Sequence, residues 1–312
     1  MKITTDHVHV VEVGPRDGLQ NEKVTIPTEA KIDYITALAD AGLRTIEAGA
    51  FVSPKWVPQM ADTAEVYRSI PKDPGVDYPV LVPNMKGLER AIEANVKSIA
   101  IFTAASETFN KRNINMSIDE SFINYAPVAQ RARAEGMRVR GYVSTAFGCP
   151  YEGDVAPEKV LEVCARLLDL GCYEVSVGDT IGVGTPVQVQ GVIGMLLQVI
   201  PASKLAMHFH DTRGTALANT LAALEMGIPT FDASSGGLGG CPYAPGASGN
   251  MATEDLVYML EKMGIDTAVD LNRLVAASQI IAPYLDHPLP GRYLQASTRS
   301  TMPVAATSAT VQ

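Results

Sequence analysis

Short runs of β-branched and apolar residues alternate along the chain with longer stretches whose apolar positions recur at helical spacing. The short runs predict strands at Val8–Val13, Thr45–Ala48, Tyr78–Val82, Ser98–Thr103, Arg138–Ser144, Glu174–Gly178, Leu205–Asp211 and Thr230–Ala233. A helical stretch follows each in turn: Thr28–Asp40, Lys55–Ile70, Lys86–Ala94, Ser117–Glu135, Ala156–Leu170, Thr185–Val199, Gly214–Met226 and Ala252–Lys262. Several strand runs are apolar almost throughout, as expected of strands buried on both faces of a parallel sheet. Strand–helix alternation marks βαβ units. Eight consecutive units predict an α/β fold, the closed (β/α)8 TIM barrel, in preference to an open doubly wound sheet. Helix punctuation agrees: Ser117-x-x-Glu120 is a capping-box pattern, and Gly42, Gly136, Gly171, Gly227 and Gly264 sit where helices should stop. Leu271–Leu285 reads as an added C-terminal helix. Residues 1–296 form one barrel domain on this reading, and 297–312, rich in Ala, Ser and Thr, form a flexible tail.

Length agrees with that fold, since a barrel of this kind takes roughly 250 residues and the chain has 312. At 46% hydrophobic and 19% charged it has ample material for a core. A net charge of −9 excludes a nucleic-acid-binding surface, which needs clustered Lys and Arg. The four cysteines, 149, 164, 172 and 241, form no Cys-x-x-Cys pair, which points to reduced thiols and a cytoplasmic setting. Nothing after Met1 resembles a signal or transit peptide, and no apolar stretch reaches the roughly 18 residues a membrane helix requires.

Catalytic groups of such barrels sit at the carboxyl ends of the strands, and four predicted strands deliver ionisable groups to that end. The first leads into Arg16-Asp17, the second into Glu47, the sixth into Asp179, and the seventh ends in His208-Phe209-His210-Asp211. Residues two apart on a strand share a face, so both imidazoles can aim at one ion. Two hydrogen-bonded histidines in a packed interior is the alternative. Asp17 and Asn250, if the barrel brings them close, add oxygen ligands and favour a metal. A mixed nitrogen and oxygen set suits Mg²⁺ or Mn²⁺, with Zn²⁺ open. Arg16 lies in the turn Gly14-Pro15-Arg16-Asp17-Gly18; it is either an ordinary ion-paired arginine or a fixed charge for an enolate oxygen. Cys241 rides on the glycine-rich run Gly236–Gly246, as a small apolar residue or as a proton donor carried to the site. Cys149, Cys164 and Cys172 are structural. Glu47 and Asp179 either orient a ligand or Arg16, or form an interior salt bridge. The glycine run lacks the strand–helix setting of a dinucleotide fingerprint, which excludes nicotinamide binding.

Val11-Glu12-Val13-Gly14-Pro15-Arg16-Asp17-Gly18-Leu19-Gln20-Asn21-Glu22 resembles the opening signature of the 3-hydroxy-3-methylglutaryl-CoA lyases. The stretches Phe51–Met60, Gly178–Pro186 and Gly237–Asn250 are similar to the same family. The resemblance implies metal ligands at Asp17, His208, His210 and Asn250, an enolate-stabilising Arg16, an essential loop thiol at Cys241, and active-site carboxylates at Glu47 and Asp179. It also implies Mg²⁺ or Mn²⁺ as cofactor, a CoA thioester substrate, a homodimer, and acetyl-CoA and acetoacetate as products. Lys23, Lys111 and Arg112 are candidates for the CoA phosphates. Ala48-Gly49-Ala50, Ser234–Gly237 and Arg213 depart from the animal members. Smaller residues near the pocket leave open a homologue with a longer C3 substituent. A Claisen-condensing acyltransferase is disfavoured by the cysteine loop and by the lack of an accessory domain after Leu285.

Overall fold

Nine strand segments, all parallel, are found among the residues that the computed structural model describes, namely 3, 5–240 and 249–300. They are β1 (His9–Glu12), β2 (Thr45–Ile46), β3 (Gly49–Ala50), β4 (Val80–Leu81), β5 (Ser98–Ala104), β6 (Arg138–Ser144), β7 (Glu174–Asp179), β8 (Leu205–Phe209) and β9 (Thr230–Ala233). The sheet order is β2-β1-β9-β8-β7-β6-β5-β4-β3. Its two ends, β2 and β3, are halves of one stretch, so the sheet closes into the expected barrel of eight. The predicted strand Thr45–Ala48 is split because alternate amides bond to opposite neighbours. Glu47 N donates to Glu12 O and Ala48 N to Pro79 O, each at 2.9 Å.

Helices cover the outside, and most begin where a cap was readable. Ser117 and Thr185 each complete a capping box with Glu120 and Gln188. Four expectations are corrected. The helix predicted over Lys55–Ile70 begins at Thr63, because Pro58 opens a short 3₁₀ turn, Pro58–Met60, instead. A helix missed in the sequence, Glu107–Ile114, is capped by Ser106, whose hydroxyl accepts from Phe109 N, and ends at Asn115 in the left-handed region. The seventh strand stops at Phe209, since His210 bridges to Asn250 rather than continuing the ladder. The added helix is Leu271–Ile281, and the stretch predicted to be tail includes the end of a further helix, Arg292–Ser300. Asp255 accepts from the first amides of that helix, Arg292 N and Tyr293 N.

Large branched residues usually fill the interior of such a barrel; here charges occupy much of it. Arg140 has no exposure. Its Nε donates to Glu174 Oε1 at 2.8 Å, its Nη2 to Asp232 Oδ1 at 2.7 Å, and its Nη1 to the Tyr142 hydroxyl at 2.6 Å. Burial works to raise the Asp232 carboxyl, but Arg140 and then His208 outweigh it and hold it well below the usual carboxylate range. Two outcomes are expected. Arg140→Met, which strands buried carboxylates, should lower unfolding free energy by about 3–5 kcal/mol in urea titrations. Because the folded pKa of Asp232 lies below its unfolded value, its contribution should be full above about pH 4 and be lost as the pH falls further.

Candidate active site

The site begins at a single tight turn. Val13 O accepts from Arg16 N, Asp17 N and Gly18 N at 3.2, 2.7 and 3.1 Å, which presents Arg16 and Asp17 at the carboxyl end of β1. A Cβ at Gly18 would stand 2.9 Å from Leu238 Cβ, so this turn presses against the segment after β9. Arg16 Nε donates to Glu47 Oε2 at 2.6 Å and Nη1 to Asp17 Oδ1 at 2.7 Å. Its guanidinium carbon lies 5.6 Å from the centre of the Tyr142 ring. The Tyr142 hydroxyl donates to the second Glu47 oxygen at 2.7 Å. Arg16 is thus held in one orientation by Asp17 of its own turn, Glu47 between β2 and β3, and Tyr142 of β6.

Across the mouth, one ligand atom from each of Asp17, His208 and His210 lies within 4.8 Å of the others. His208 and His210 lie on one face as their spacing requires, with ring centres 5.2 Å apart. Asn250 Nδ2 donates to Asp17 Oδ2 at 2.9 Å and to Leu238 O at 3.0 Å. Burial works to raise Asp17, but Arg16, then His208 and His210, hold it below the usual carboxylate range. Burial, reinforced by His208, pushes His210 down to about 3, which favours the neutral ring with one nitrogen lone pair free. His208 is shifted up: Asp232, whose Oδ2 lies 3.4 Å from its Nδ1, and Asp17 outweigh burial.

Whether these residues fit a cation is tested by their unused atoms. Asn250 Oδ1 and His210 Nδ1 are buried and accept no hydrogen bond. Leaving a buried acceptor unpaired costs about 1–3 kcal/mol. Two such atoms beside an ionised carboxylate form a mixed nitrogen and oxygen donor set for a divalent cation. The residues fit.

Other predicted residues fall as follows. Asp179 gives one oxygen to Val183 N at 3.0 Å and the other to Gly184 N at 2.8 Å, and so shapes its own turn. Lys23, Lys111 and Arg112 are exposed on segments leaving the carboxyl ends of β1 and β5, and Arg112 stacks 4.3 Å above Tyr151. Cys241 lies outside the described residues. Arg140, Tyr142 and Asp232, which join Glu47 to His208, were missed. Their signal was an arginine and a tyrosine two apart on a strand expected to be buried.

The departures noted in the sequence are committed to internal contacts. Thr63 Oγ1 meets Ala50 N at 3.2 Å and Ala50 O at 3.0 Å, and a Cβ on Gly49 would stand 2.8 Å from it. A Cβ on Gly236 would stand 2.7 Å from Leu289. Arg213 donates to Ile181 O and Gly182 O at 2.9 and 3.0 Å.

A closed parallel barrel with an acid, two histidines and an arginine at its catalytic end defines a (β/α)8 enzyme with a candidate metal centre. The chain belongs to the HMGL-like family, whose family model matches residues 7–281. It is 56% identical over 292 residues to the mitochondrial hydroxymethylglutaryl-CoA lyase of Bos taurus, covering 94% of this chain and 90% of that one. The solved hydroxymethylglutaryl-CoA lyase of Pseudomonas aeruginosa superposes with a TM-score of 0.94 at 51% identity, covering 96% of this chain and all of that one. An HMG-CoA lyase of Acinetobacter baumannii, solved with coenzyme A and 3-methylmalate, gives 0.90 at 41% identity, covering 97% and 99%. His208→Ala should weaken Mn²⁺ uptake by more than about tenfold in a calorimetric titration; a normal titration removes His208 from the ligand set.

Proposed function

We propose that the protein is a divalent-metal-dependent carbon–carbon lyase that cleaves 3-hydroxy-3-methylglutaryl-CoA to acetyl-CoA and acetoacetate by a retro-Claisen step. The observation that carries this reading is the convergence of Asp17, His208 and His210 within 4.8 Å, with Arg16 bonded to Asp17. Relatives bearing that activity, at more than half identity over nearly the whole chain, support the choice of substrate.

The substrate carries a tertiary alcohol two carbons from its thioester carbonyl. Asp17, His208, His210 and Asn250 would hold Mg²⁺ or Mn²⁺, which would supply Lewis acidity toward that hydroxyl. Asp17, kept ionised by Arg16, takes the hydroxyl proton, directly or through one water. The C2–C3 bond then breaks: C3 becomes the ketone of acetoacetate, and the electron pair passes to C2 and the thioester as an enolate. Arg16, oriented by Glu47, faces the enolate oxygen with a fixed charge. Cys241 returns a proton to C2 and completes acetyl-CoA. Asp179 keeps the adjoining turn in shape, and Lys23, Lys111 and Arg112 meet the CoA phosphates.

The internal contacts of Gly49, Gly236 and Arg213 favour the methyl-bearing substrate over a homologue with a longer C3 substituent. The chain works as a homodimer in the cytoplasm on this reading. Free, buried Cys149, Cys164 and Cys172 fit a reducing compartment. No helix among the described residues is long and apolar enough to cross a membrane.

Purified protein with Mg²⁺ and 3-hydroxy-3-methylglutaryl-CoA should release acetoacetate, and a chelator should stop it until metal is restored. Turnover confined to a longer C3-substituted thioester would establish the homologue instead. Incorporation of acetyl groups into a 2-oxo acid would establish a synthase. Arg16→Gln should lower kcat by about 10²–10³-fold. Cys241→Ser should abolish turnover and leave Mn²⁺ uptake intact; full activity would remove that thiol from the mechanism.

A further inference from the structure

Two buried carboxylates outside the proposed chemistry grip the backbone that carries it. Glu12, at the end of β1, and Glu254, in the helix Thr253–Lys262, have no exposure. Glu12 Oε1 accepts from Gly14 N at 2.8 Å and from Ser235 N at 2.9 Å. Its Oε2 accepts from Thr253 Oγ1 at 2.7 Å. Glu254 Oε2 accepts from the next amide, Gly236 N, at 2.7 Å, while Oε1 accepts from Ser278 Oγ. The Tyr34 and Ser235 hydroxyls make a further short contact in the same cluster.

These bonds close a ring. Gly14 opens the turn bearing Arg16 and Asp17; Asp17 Oδ2 accepts from Asn250 Nδ2, and that nitrogen also donates to Leu238 O. Leu238 lies three residues after Ser235, and Ser235 N returns to the Glu12 oxygen that holds Gly14. Thr253, on the other oxygen, lies three residues after Asn250. One side chain therefore touches the turn that bears Arg16 and Asp17 and both segments adjoining Leu238 and Asn250. A Cβ on Gly14 would stand 2.6 Å from Glu12 Oε1, so the turn packs directly against that carboxyl and has no space for a side chain there.

We propose that Glu12, with Glu254 beside it, is a positioning residue of the active site: its carboxyl oxygens set the spacing between the Arg16–Asp17 turn and the segment that supports Asn250. What matters is the reach of the oxygens rather than charge. Burial pushes Glu12 up to about 8 and Glu254 up to about 7, so neither place holds its charge strongly and a side chain of the same length is the closer match to both. In Glu12→Gln the amide oxygen can keep both N–H donors while its NH₂ faces Thr253 Oγ1. In Glu12→Asp the oxygens withdraw by one methylene.

The inference rests on the proposed metal and enolate roles of Asp17, Asn250 and Arg16. Mn²⁺ uptake by calorimetry and steady-state kinetics with 3-hydroxy-3-methylglutaryl-CoA test it on the full chain, well below the melting temperature of each variant. Glu12→Asp should lower kcat by about 10–100-fold, the scale of a misplacement near 1 Å, and weaken Mn²⁺ uptake several-fold, with KM within about twofold. Glu12→Gln should keep kcat and uptake within about threefold. Glu254→Asp and Glu254→Gln should repeat the contrast, and they decide the matter if Glu12→Asp does not fold. A folded aspartate variant with wild-type kcat and uptake overturns the inference, as does a Gln variant as damaged as its Asp counterpart. A wild-type protein that turns over substrate without taking up Mn²⁺ instead sinks the metal reading; the kcat contrast alone then judges the carboxylates.

Discussion

A full positive charge on Arg140 sits where no water reaches it, and the inside of the barrel is arranged around neutralising it. Moving such a charge out of water costs several kcal/mol, recovered only with well-placed partners. Its donors go to β7 through Glu174, to β9 through Asp232, and by way of Tyr142 to Glu47 between β2 and β3. Two members of this network also face the site. Glu47 turns Arg16, and Asp232 stands against His208. Pairing one interior arginine thereby fixes Arg16 and His208 in place at the mouth.

Backbone amides complete the support. Asp179 gives both oxygens to its own turn, Glu12 and Glu254 each give one oxygen to the base of the segment after β9, and Val13 O collects three successive amides. Side chains whose neighbours are fixed in this way need no rearrangement when a charge develops beside them, the condition for effective electrostatic stabilisation. Rigidity here comes from hydrogen bonds made across elements, with apolar packing outside them.

Strand positions were legible because parallel strands buried on both faces write themselves as apolar runs; Arg138–Ser144 and Thr230–Ala233 match their predicted bounds. The His208–His210 pair was legible because strand alternation is local. Arg16 and Asp17 were legible by position, at the catalytic end. Helices were misread where one residue overrode the pattern: Pro58 broke an amphipathic stretch, and Ser106 with Asn115 bounded a short helix that the periodicity hides. The arginine network was illegible for another reason. Arg140 and Asp232 are 92 residues apart, and Tyr142 and Glu47 are 95 apart, so a local window shows only the Arg140–Tyr142 step and neither link to the site.

Joining the first strand to the last has a consequence during synthesis. β1 leaves the ribosome early, yet its second neighbour, β9, is among the last strands made. At ordinary elongation rates the interval is on the order of ten to forty seconds. Throughout it the nascent sheet has an unsealed edge, and Arg140 lacks the aspartate that only β9 can bring. Both wait on β9, so completing the cylinder and quenching its interior charge are one event.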